Sequence, residues 1–315
     1  MKYHIYFHDD FDGTACAALM SNFLSSRGDG VASFNPIDYV PGLKKQWLNY
    51  KFKRPFILVD FMYHPKADWW FDHHVTSFLK PEWQKGLKND PRHYFDPSYK
   101  SVYGMTLNFL KRKYKYKPPK QLNDLEHWAD IIDSASYKTA KEGITFRSTA
   151  QKLMLLLGNY EKVAKTGYGE MQLELVKTLA EGKIYVFLKK YKKHLLKLKD
   201  KLKKGVLVFK KYAILKGKVV VLSEEGLEII FKGFLGYYIF PKAEYAVTVS
   251  KDSSGFHLHV GRNPWLKKES NLSIGDLMKK YGGGGHKNVG GAETKNYKEA
   301  LKISNEIVEH LNSND

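Results

Sequence analysis

Acid and imidazole side chains gather at four points in the first part of the chain. His8-Asp9-Asp10-Phe11-Asp12-Gly13 follows an apolar run, and Asp60 closes Phe56-Ile57-Leu58-Val59. Asp72-His73-His74 follows Trp69-Trp70-Phe71, and Asp130-Ile131-Ile132-Asp133 lies in a helical pattern. Carboxylates brought together repel one another and raise each other's pKa. A divalent cation removes that penalty, and aspartate mixed with imidazole suits Mn2+, with Mg2+ or Zn2+ as variants. Two such ions ~4 Å apart activate water and stabilise both oxygens of an in-line phosphoryl displacement. Taken singly, each cluster has a plainer reading. Asp12 fits the N-cap of a helix starting at Thr14, with Gly13 easing the turn. Asp60 fits a turn after a strand, and His73 and His74 fit surface or core positions. Three strand ends carrying acid or histidine in one domain are harder to treat as accident.

The elements that must position these groups read as an α/β fold. Lys2–His8 and Pro55–Asp60 read as strands, the second a short continuous apolar run of the kind buried in a parallel sheet. Trp69–Phe71 leads into the next acid. Helices are expected at Thr14–Ser25, Tyr103–Lys113, Leu122–Ser134 and Thr145–Leu157. Strands alternating with helices argue for a doubly wound, mostly parallel sheet, whose functional residues collect at the carboxyl ends of the strands. Ile184, Phe187, Leu188, Tyr191, Leu195, Leu198 and Leu202 recur at helical spacing, and Gly205 is a plausible stop. Beyond it, GVLVFKKYAIL (205–215), KGKVVVLS (216–223), AEYAVTVSKD (243–252) and GFHLHVGR (255–262) read as strands. Helices are expected at Gly226–Tyr238, Ile274–Tyr281 and Tyr297–Leu311. The expected division is 1–157, a helical connector at 158–205, and a smaller α/β domain with a mixed sheet at 206–315.

Composition narrows the class of function. In 315 residues, 43% hydrophobic and 14% aromatic side chains are enough for a core and exclude wholesale disorder. The single cysteine, Cys16, excludes an intramolecular disulfide framework and multi-cysteine zinc or iron–sulfur sites. No run approaches the ~18 apolar residues of a membrane span. The N-terminus lacks a signal-peptide pattern, so a soluble cytoplasmic protein without a membrane partner is expected. Net charge is +19, of which +12 (17 lysines, 5 acids) lies between Glu161 and Lys218. That face reads either as solvated or as a basic rail for phosphates, with a membrane-surface helix as a third reading.

In this order the motifs resemble those of the DHH phosphoesterase superfamily. Asp72-His73-His74 is similar to the name motif, HDDFDG (8–13) to the first signature, VDF (59–61) to the second and IIDSA (131–135) to the fourth. GGGGHKNVGGA (282–292) is similar to the glycine-rich signature of the DHH-associated domain. The likeness spans nearly the whole chain. It implies a catalytic DHH domain, a connecting helix and a substrate-binding domain. It also implies two ions, Mn2+ or Mg2+. By that resemblance His8 and Asp12 bind one metal, Asp60 bridges, His73 and Asp133 serve the second, His74 faces the scissile phosphate and Asp72 orients a neighbouring ligand. Many members carry another aspartate two positions after the one matched by Asp12. Here that position is Thr14, so either Asp10 supplies the missing oxygen, or the second ion is held more weakly, or activity is lost.

The C-terminal glycines, Gly283, Gly284 and Gly285, can bring backbone N–H groups close to an anion, and His286 can donate to a phosphate; a tight turn is the plainer reading. Arg262, at the end of a strand, lies where family members often grip substrate. The form of the first motif resembles NrnB-type nanoRNases and RecJ-like branches. The leading expectation is therefore a manganese-dependent oligoribonuclease-like hydrolase that cuts short single-stranded RNA or DNA to nucleoside monophosphates. The alternatives are a phosphatase or phosphodiesterase for small nucleotides (3′-phosphoadenosine 5′-phosphate, cyclic dinucleotides) and a non-catalytic nucleic-acid-binding protein on a retired scaffold. Relatives are often homodimers, but the sequence carries no dimer motif.

Overall fold

The structure, a computed structural model, describes residues 1–40, 42–87, 92–223, 229, 232–251, 255–267 and 270–313. It divides into two compact units, Met1–Ser136 with Arg147–Leu198, and Tyr137–Phe146 with Lys199–Asp315.

In the first unit, β1 (Lys2–His8), β2 (Gly30–Ile37), β3 (Phe56–Val59), β4 (Trp69–Asp72) and β5 (His93–Phe95) form one parallel sheet in the order β2-β1-β3-β4-β5. The chain moves outward from β1 to β2, then returns to β3 on the other side of β1. The order therefore reverses between β1 and β3, where open sheets of this class bind ligands. All four residues of β3 are buried, as are Ile5, Tyr6 and Phe7 of β1, which explains the unbroken apolar runs. The strands β2 and β5 are absent from the sequence reading. Both lie at sheet edges; β2 carries Pro36, and β5 has only three residues, so neither shows a buried-strand pattern.

The helices in chain order are α1 (Phe11–Ser26), α2 (Leu43–Gln46), α3 (Pro81–Gly86), α4 (Val102–Tyr114), α5 (Lys120–Asp133), α6 (Ala140–Thr145), α7 (Thr149–Leu157), α8 (Tyr168–Ala180), α9 (Ile184–Lys190) and α10 (Lys192–Tyr212). Helix α1 starts three residues earlier than its sequence pattern suggests. Its N-cap is Asp10, whose carboxylate accepts from the Gly13 N–H at 2.9 Å, so Asp12 lies in the first turn and not at the cap. A Cβ on Gly13 would sit 2.3 Å from the His8 carbonyl oxygen. Only glycine lets the helix start press against the end of β1.

The helix expected at 145–157 starts four residues later, as α7 at Thr149, and Thr145 instead ends α6. Phe146 takes φ 47° and breaks the path, and Ser148 with Gln151 caps α7 in a capping box. The lysine-rich helix bends at Tyr191 and does not stop at Gly205. It runs on to Tyr212, and a Cβ on Gly205 would lie 3.2 Å from the Ile229 side chain. That glycine serves close packing. The segment 205–215 is therefore mostly helix, because Leu202 and Phe209 recur on one buried face two turns apart.

In the second unit β6 (Ile214–Lys216), β7 (Val219–Leu222), β8 (Tyr245–Lys251), β9 (Phe256–Arg262), β10 (Gly284–His286) and β11 (Val289–Thr294) form a mixed sheet in the order β10-β11-β9-β8-β7-β6. Only β7 and β8 pair in parallel. Helices α11 (Lys232–Ile239), α12 (Ile274–Lys279) and α13 (Tyr297–Ser313) complete it. Residues 226–228, 230 and 231 of the helix expected at Gly226–Tyr238 lie outside the described residues. No helix among the described residues is long and apolar enough to cross a membrane.

Because its Cβ would strike backbone, Gly13→Ala should lose about 3 kcal/mol or more of stability. Urea denaturation of the two proteins measures this, and an unchanged midpoint would mean that the contact with β1 is slack.

Candidate metal centre

The parallel sheet delivers His8, Asp60 and Asp72 to the same edge, at the ends of adjacent strands β1, β3 and β4. Asp60 is the most constrained of them. It takes φ 56°, a left-handed backbone that side chains other than glycine rarely adopt, and it is buried. No described residue donates a hydrogen bond to either of its carboxylate oxygens. A buried carboxylate left in this state is unstable unless something positive comes to it.

Two groups of ligand atoms share Asp60. His8, Asp10 and Asp60 converge on one side, and Asp60, Asp72 and His74 on the other, with the ligand atoms in each group within 4.8 Å of one another. The Oδ2 of Asp60 lies 3.6 Å from Nδ1 of His8, and its Oδ1 lies 3.7 Å from Nδ1 of His74. Asp10 stands 3.1 Å from His8. Each oxygen of one carboxylate thus faces a different imidazole. Asp72, also buried, organises the second group. It accepts the backbone N–H of His73 at 2.7 Å and of His74 at 3.2 Å, takes the Ser77 hydroxyl on its other oxygen, and lies 2.8 Å from Nδ1 of His74. A proton on Nδ1 makes His74 a donor to Asp72 and leaves Nε2 as an open acceptor. A bare Nδ1 makes His74 a ligand beside Asp60 and Asp72.

The remaining expected residues sit in a different relation. His73 turns Nδ1 to the Tyr99 carbonyl at 2.9 Å and Nε2 to Asp133 at 3.3 Å, forming a pair. Asp12 is held by the start of α4. Its Oδ2 accepts from the Val102 N–H at 2.7 Å and its Oδ1 from the Tyr103 N–H at 3.0 Å. Thr14 is buried with its hydroxyl 3.3 Å from the Gln172 amide, and it does not join either group. The acid that completes the first group is Asp10.

The electrostatics follow from crowding. Burial, then the charges of Asp10, Asp12, Asp72 and Asp133, hold the Asp60 carboxyl well above the usual carboxylate range. Burial, then Asp133 and Asp10, do the same to Asp12. Burial alone would lower the His73 pKa, but its bonds to Asp133 and Tyr99 outweigh this and raise it to about 9. For His8, burial is outweighed by Asp10 and its acid neighbours, and the pKa rises. Asp60, Asp12, His73 and His8 therefore hold protons more tightly than free side chains do. Its oxygen and imidazole donors, with the one cysteine buried in α1, fit a hard or borderline divalent ion such as Mn2+ or Mg2+.

Sequence reasoning missed the groups around this core. Asp38 lies 3.9 Å from His8, and Tyr39 stacks on Phe61 at 4.3 Å while meeting the His8 ring edge-on at 5.4 Å. Both follow β2. Recognising that edge strand would have added a strand-end acid to the set. Ser101 caps α4 and donates to Asp130. A Cβ on Gly104 would lie 2.8 Å from Asp130, so that glycine admits the acid.

In the second unit, the glycine run is not a loop. Gly284–His286 is β10, paired antiparallel with β11. A Cβ on Gly285 (φ 149°) would meet the Val289 carbonyl at 2.3 Å, and one on Gly283 would overlap the Gly291 carbonyl. His286 is exposed, and the Arg262 N–H donates to the Asn288 carbonyl at 2.9 Å, which brings Arg262 and the β10–β11 turn to one end of the sheet.

No protein-family model matches the chain, and no curated protein matches it. Solved structures do. A pGpG-specific phosphodiesterase, PggH from Vibrio cholerae, superposes with a TM-score of 0.72 at 19% identity, covering 99% of this chain and 100% of that one. A RecJ exonuclease bound to manganese gives 0.56 at 13% identity over 98% and 90% of the two chains. RecJ from Thermus thermophilus with Mn2+ gives 0.54 at 13% identity, with 98% of this chain matching 52% of its length. At these identities the likeness shows that the chain shares the fold of these phosphodiesterase and exonuclease structures.

In the folded state Asp60, Asp12, His8 and His73 all have raised pKa values. Their stabilising protons are fully present below the unfolded values, about 4 for aspartate and about 6.5 for histidine, and are lost as pH rises. In EDTA the melting temperature should fall as pH rises from about 4, the unfolded aspartate value, to about 9, where folded His73 gives up its proton, and Asp60→Asn should flatten that fall. Added Mn2+ must displace those protons, so its stabilisation should grow with pH in the wild type and shrink sharply in Asp60→Asn. An equal Mn2+ shift in both proteins would remove Asp60 from the metal centre.

Proposed function

We propose that the chain is a metal-dependent phosphodiesterase that hydrolyses short oligonucleotides, two to about five residues long, to nucleoside monophosphates. One observation carries the reading: the buried Asp60 carboxylate, unmatched by any described donor, turns one oxygen to the His8–Asp10 group and the other to the Asp72–His74 group. That is the arrangement a bridging ligand needs. A pGpG-specific phosphodiesterase with the same fold over its full length supports a substrate of this class, since pGpG is a linear dinucleotide. Asp10, grouped with His8 and Asp60 where Thr14 is not, supports an intact site over a retired scaffold.

When bound, divalent ions supply Lewis-acid stabilisation of phosphoryl oxygens and lower the pKa of a water that attacks phosphorus. In this reading His8, Asp10, Asp60, Asp72 and His74 hold them. His73 and Asp133, paired beside this core, would serve as further ligands to such an ion. Asp72 fixes the direction of the half-exposed His74 ring, which in this reading faces the scissile phosphate. Asp12 ties this edge of the sheet to α4, besides being a candidate ligand. Hydrolysis adds the water oxygen to phosphorus, breaks the bond to the leaving nucleoside oxygen, and returns a proton to that oxygen. Arg262 and His286 form the candidate anion-binding end of the second unit; of the expected glycine cradle, the Gly283 N–H already donates to the Met278 carbonyl and Gly284 and Gly285 lie in the β10–β11 pairing.

Incubation with labelled pGpG, di- to pentanucleotides, 3′-phosphoadenosine 5′-phosphate and a cyclic dinucleotide, each with Mn2+, tests this. The linear oligonucleotides should yield mononucleotides, and Asp60→Asn should lower turnover at least about a hundredfold, the scale of losing a ligand or its support. Consumption of the adenosine bisphosphate or the cyclic compound alone would move the substrate to the small-nucleotide class. Turnover unchanged in Asp60→Asn would end the reading.

The lysine helices carry a second expectation. Residues 184–212 contain eleven lysines and one acid, Asp200. Lys189, Lys192, Lys193 and Lys197 are exposed, whereas Lys190 is bound to Glu174 at 2.5 Å. Replacing Lys189, Lys192 and Lys193 with Gln should flatten the salt dependence of oligonucleotide binding. An unchanged slope assigns this face to solvation.

A further inference from the structure

The second unit holds a pocket of about 270 Å3. Its walls come from three places: Lys138 and Lys141 at the start of α6, Tyr237 and Tyr238 at the end of α11, and Asn263 and Trp265 after β9. The size falls below the ~300–1,000 Å3 of sites for drug-sized ligands and suits a single ring system.

The pocket wall is built rather than incidental. The buried Asn263 carboxamide donates to the carbonyls of Ala243 at 2.8 Å and Pro241 at 3.3 Å, and its oxygen accepts the Trp265 backbone N–H at 3.0 Å. One side chain thus locks the α11–β8 turn to the segment after β9. The Trp265 indole N–H donates to the Tyr137 carbonyl at 2.7 Å, which fixes the ring to the stretch of chain carrying the lysines. Phe234 and Tyr237 pack against the indole at 5.3 Å and 6.1 Å, both steeply inclined to it. Tyr238 is 39% exposed beside it. Rigid aromatic walls with little polar lining offer stacking to any flat ring.

Charge selects the ring. Lys138 and Lys141 are both exposed, and neither ammonium is paired with an acid among the described residues. Two unpaired cations beside aromatic walls match a flat base that carries an anion. We propose that the second unit contains its own nucleoside monophosphate pocket, in which Tyr238 and Trp265 hold the base and Lys138 and Lys141 hold the attached phosphate. No residue of this pocket belongs to the first unit, and the inference does not depend on hydrolysis. The nucleotide is either free or the terminal residue of an oligonucleotide.

Calorimetric titration of the full chain in EDTA, with GMP as probe, tests it. GMP should bind the wild type and Asp60→Asn alike. Tyr238→Ala should weaken GMP about tenfold, within the range measured for losing one stacked base. The double replacement Lys138→Gln with Lys141→Gln should weaken it and reduce its salt dependence. Ribose 5-phosphate should bind at least about tenfold more weakly than GMP. If pGpG competes with GMP at equal strength, the pocket seats an oligonucleotide end; if GMP binds and pGpG does not compete, it takes a free mononucleotide. Absence of GMP binding at millimolar concentration overturns the proposal. So does binding that Tyr238→Ala and the lysine pair leave unchanged, or that Asp60→Asn abolishes. Tyr238 and both lysines are surface side chains, so their replacement leaves the fold intact, and circular dichroism checks this.

Discussion

Five aspartates brought to one edge of a sheet cannot all ionise unless positive charge joins them, and the first unit is arranged around that constraint. Asp60 bears it most directly. Strand β3 ends in a left-handed residue whose side chain is buried and unsolvated, with Asp10, Asp12, Asp72 and Asp133 all acting on it. Other proteins relieve such a carboxylate with an arginine or a helix start. Here the nearest side-chain nitrogens are imidazoles at 3.6 and 3.7 Å, close enough to share an ion and too far for a hydrogen bond. The site is destabilising for the chain on its own and fits a cation, which is the usual relation between function and stability at such a centre.

The fold class and the core of this site were legible because their signals are local. A buried parallel strand writes itself as an apolar run, and an acid at its end marks the edge where the loops converge. That logic found His8, Asp60 and Asp72 together with their order. It failed where the physics is not local. The edge strands β2 and β5 carry no buried-strand pattern, so Asp38 and Tyr39 went unseen. The helical spacing of Leu202 and Phe209 competes with a β-rich local composition across 205–215, and the shared buried face decided in favour of helix. Gly205 and Gly283 look like punctuation in a sequence, yet each is small because a neighbour comes close.

The first motif shows the same limit at finer scale. The spacing of His8, Asp12 and Thr14 suggests a missing acid. In three dimensions the start of α1 at Phe11 places Asp10 at the cap, beside His8, and points Asp12 toward α4. Which aspartate meets the imidazole depends on where a helix begins, and a shift of three residues in that boundary reassigns the roles of two carboxylates.

Asp12 carries a consequence of its own. Both of its oxygens take backbone N–H groups from the first turn of α4, ninety residues along the chain. An anion at a helix start also offsets the positive end of the helix dipole. Position 12 therefore answers to two selections, one for a folded α4 and one for charge at the metal edge. A substitution there would be felt twice, and the loss it caused would measure the sum of two demands and not the strength of either.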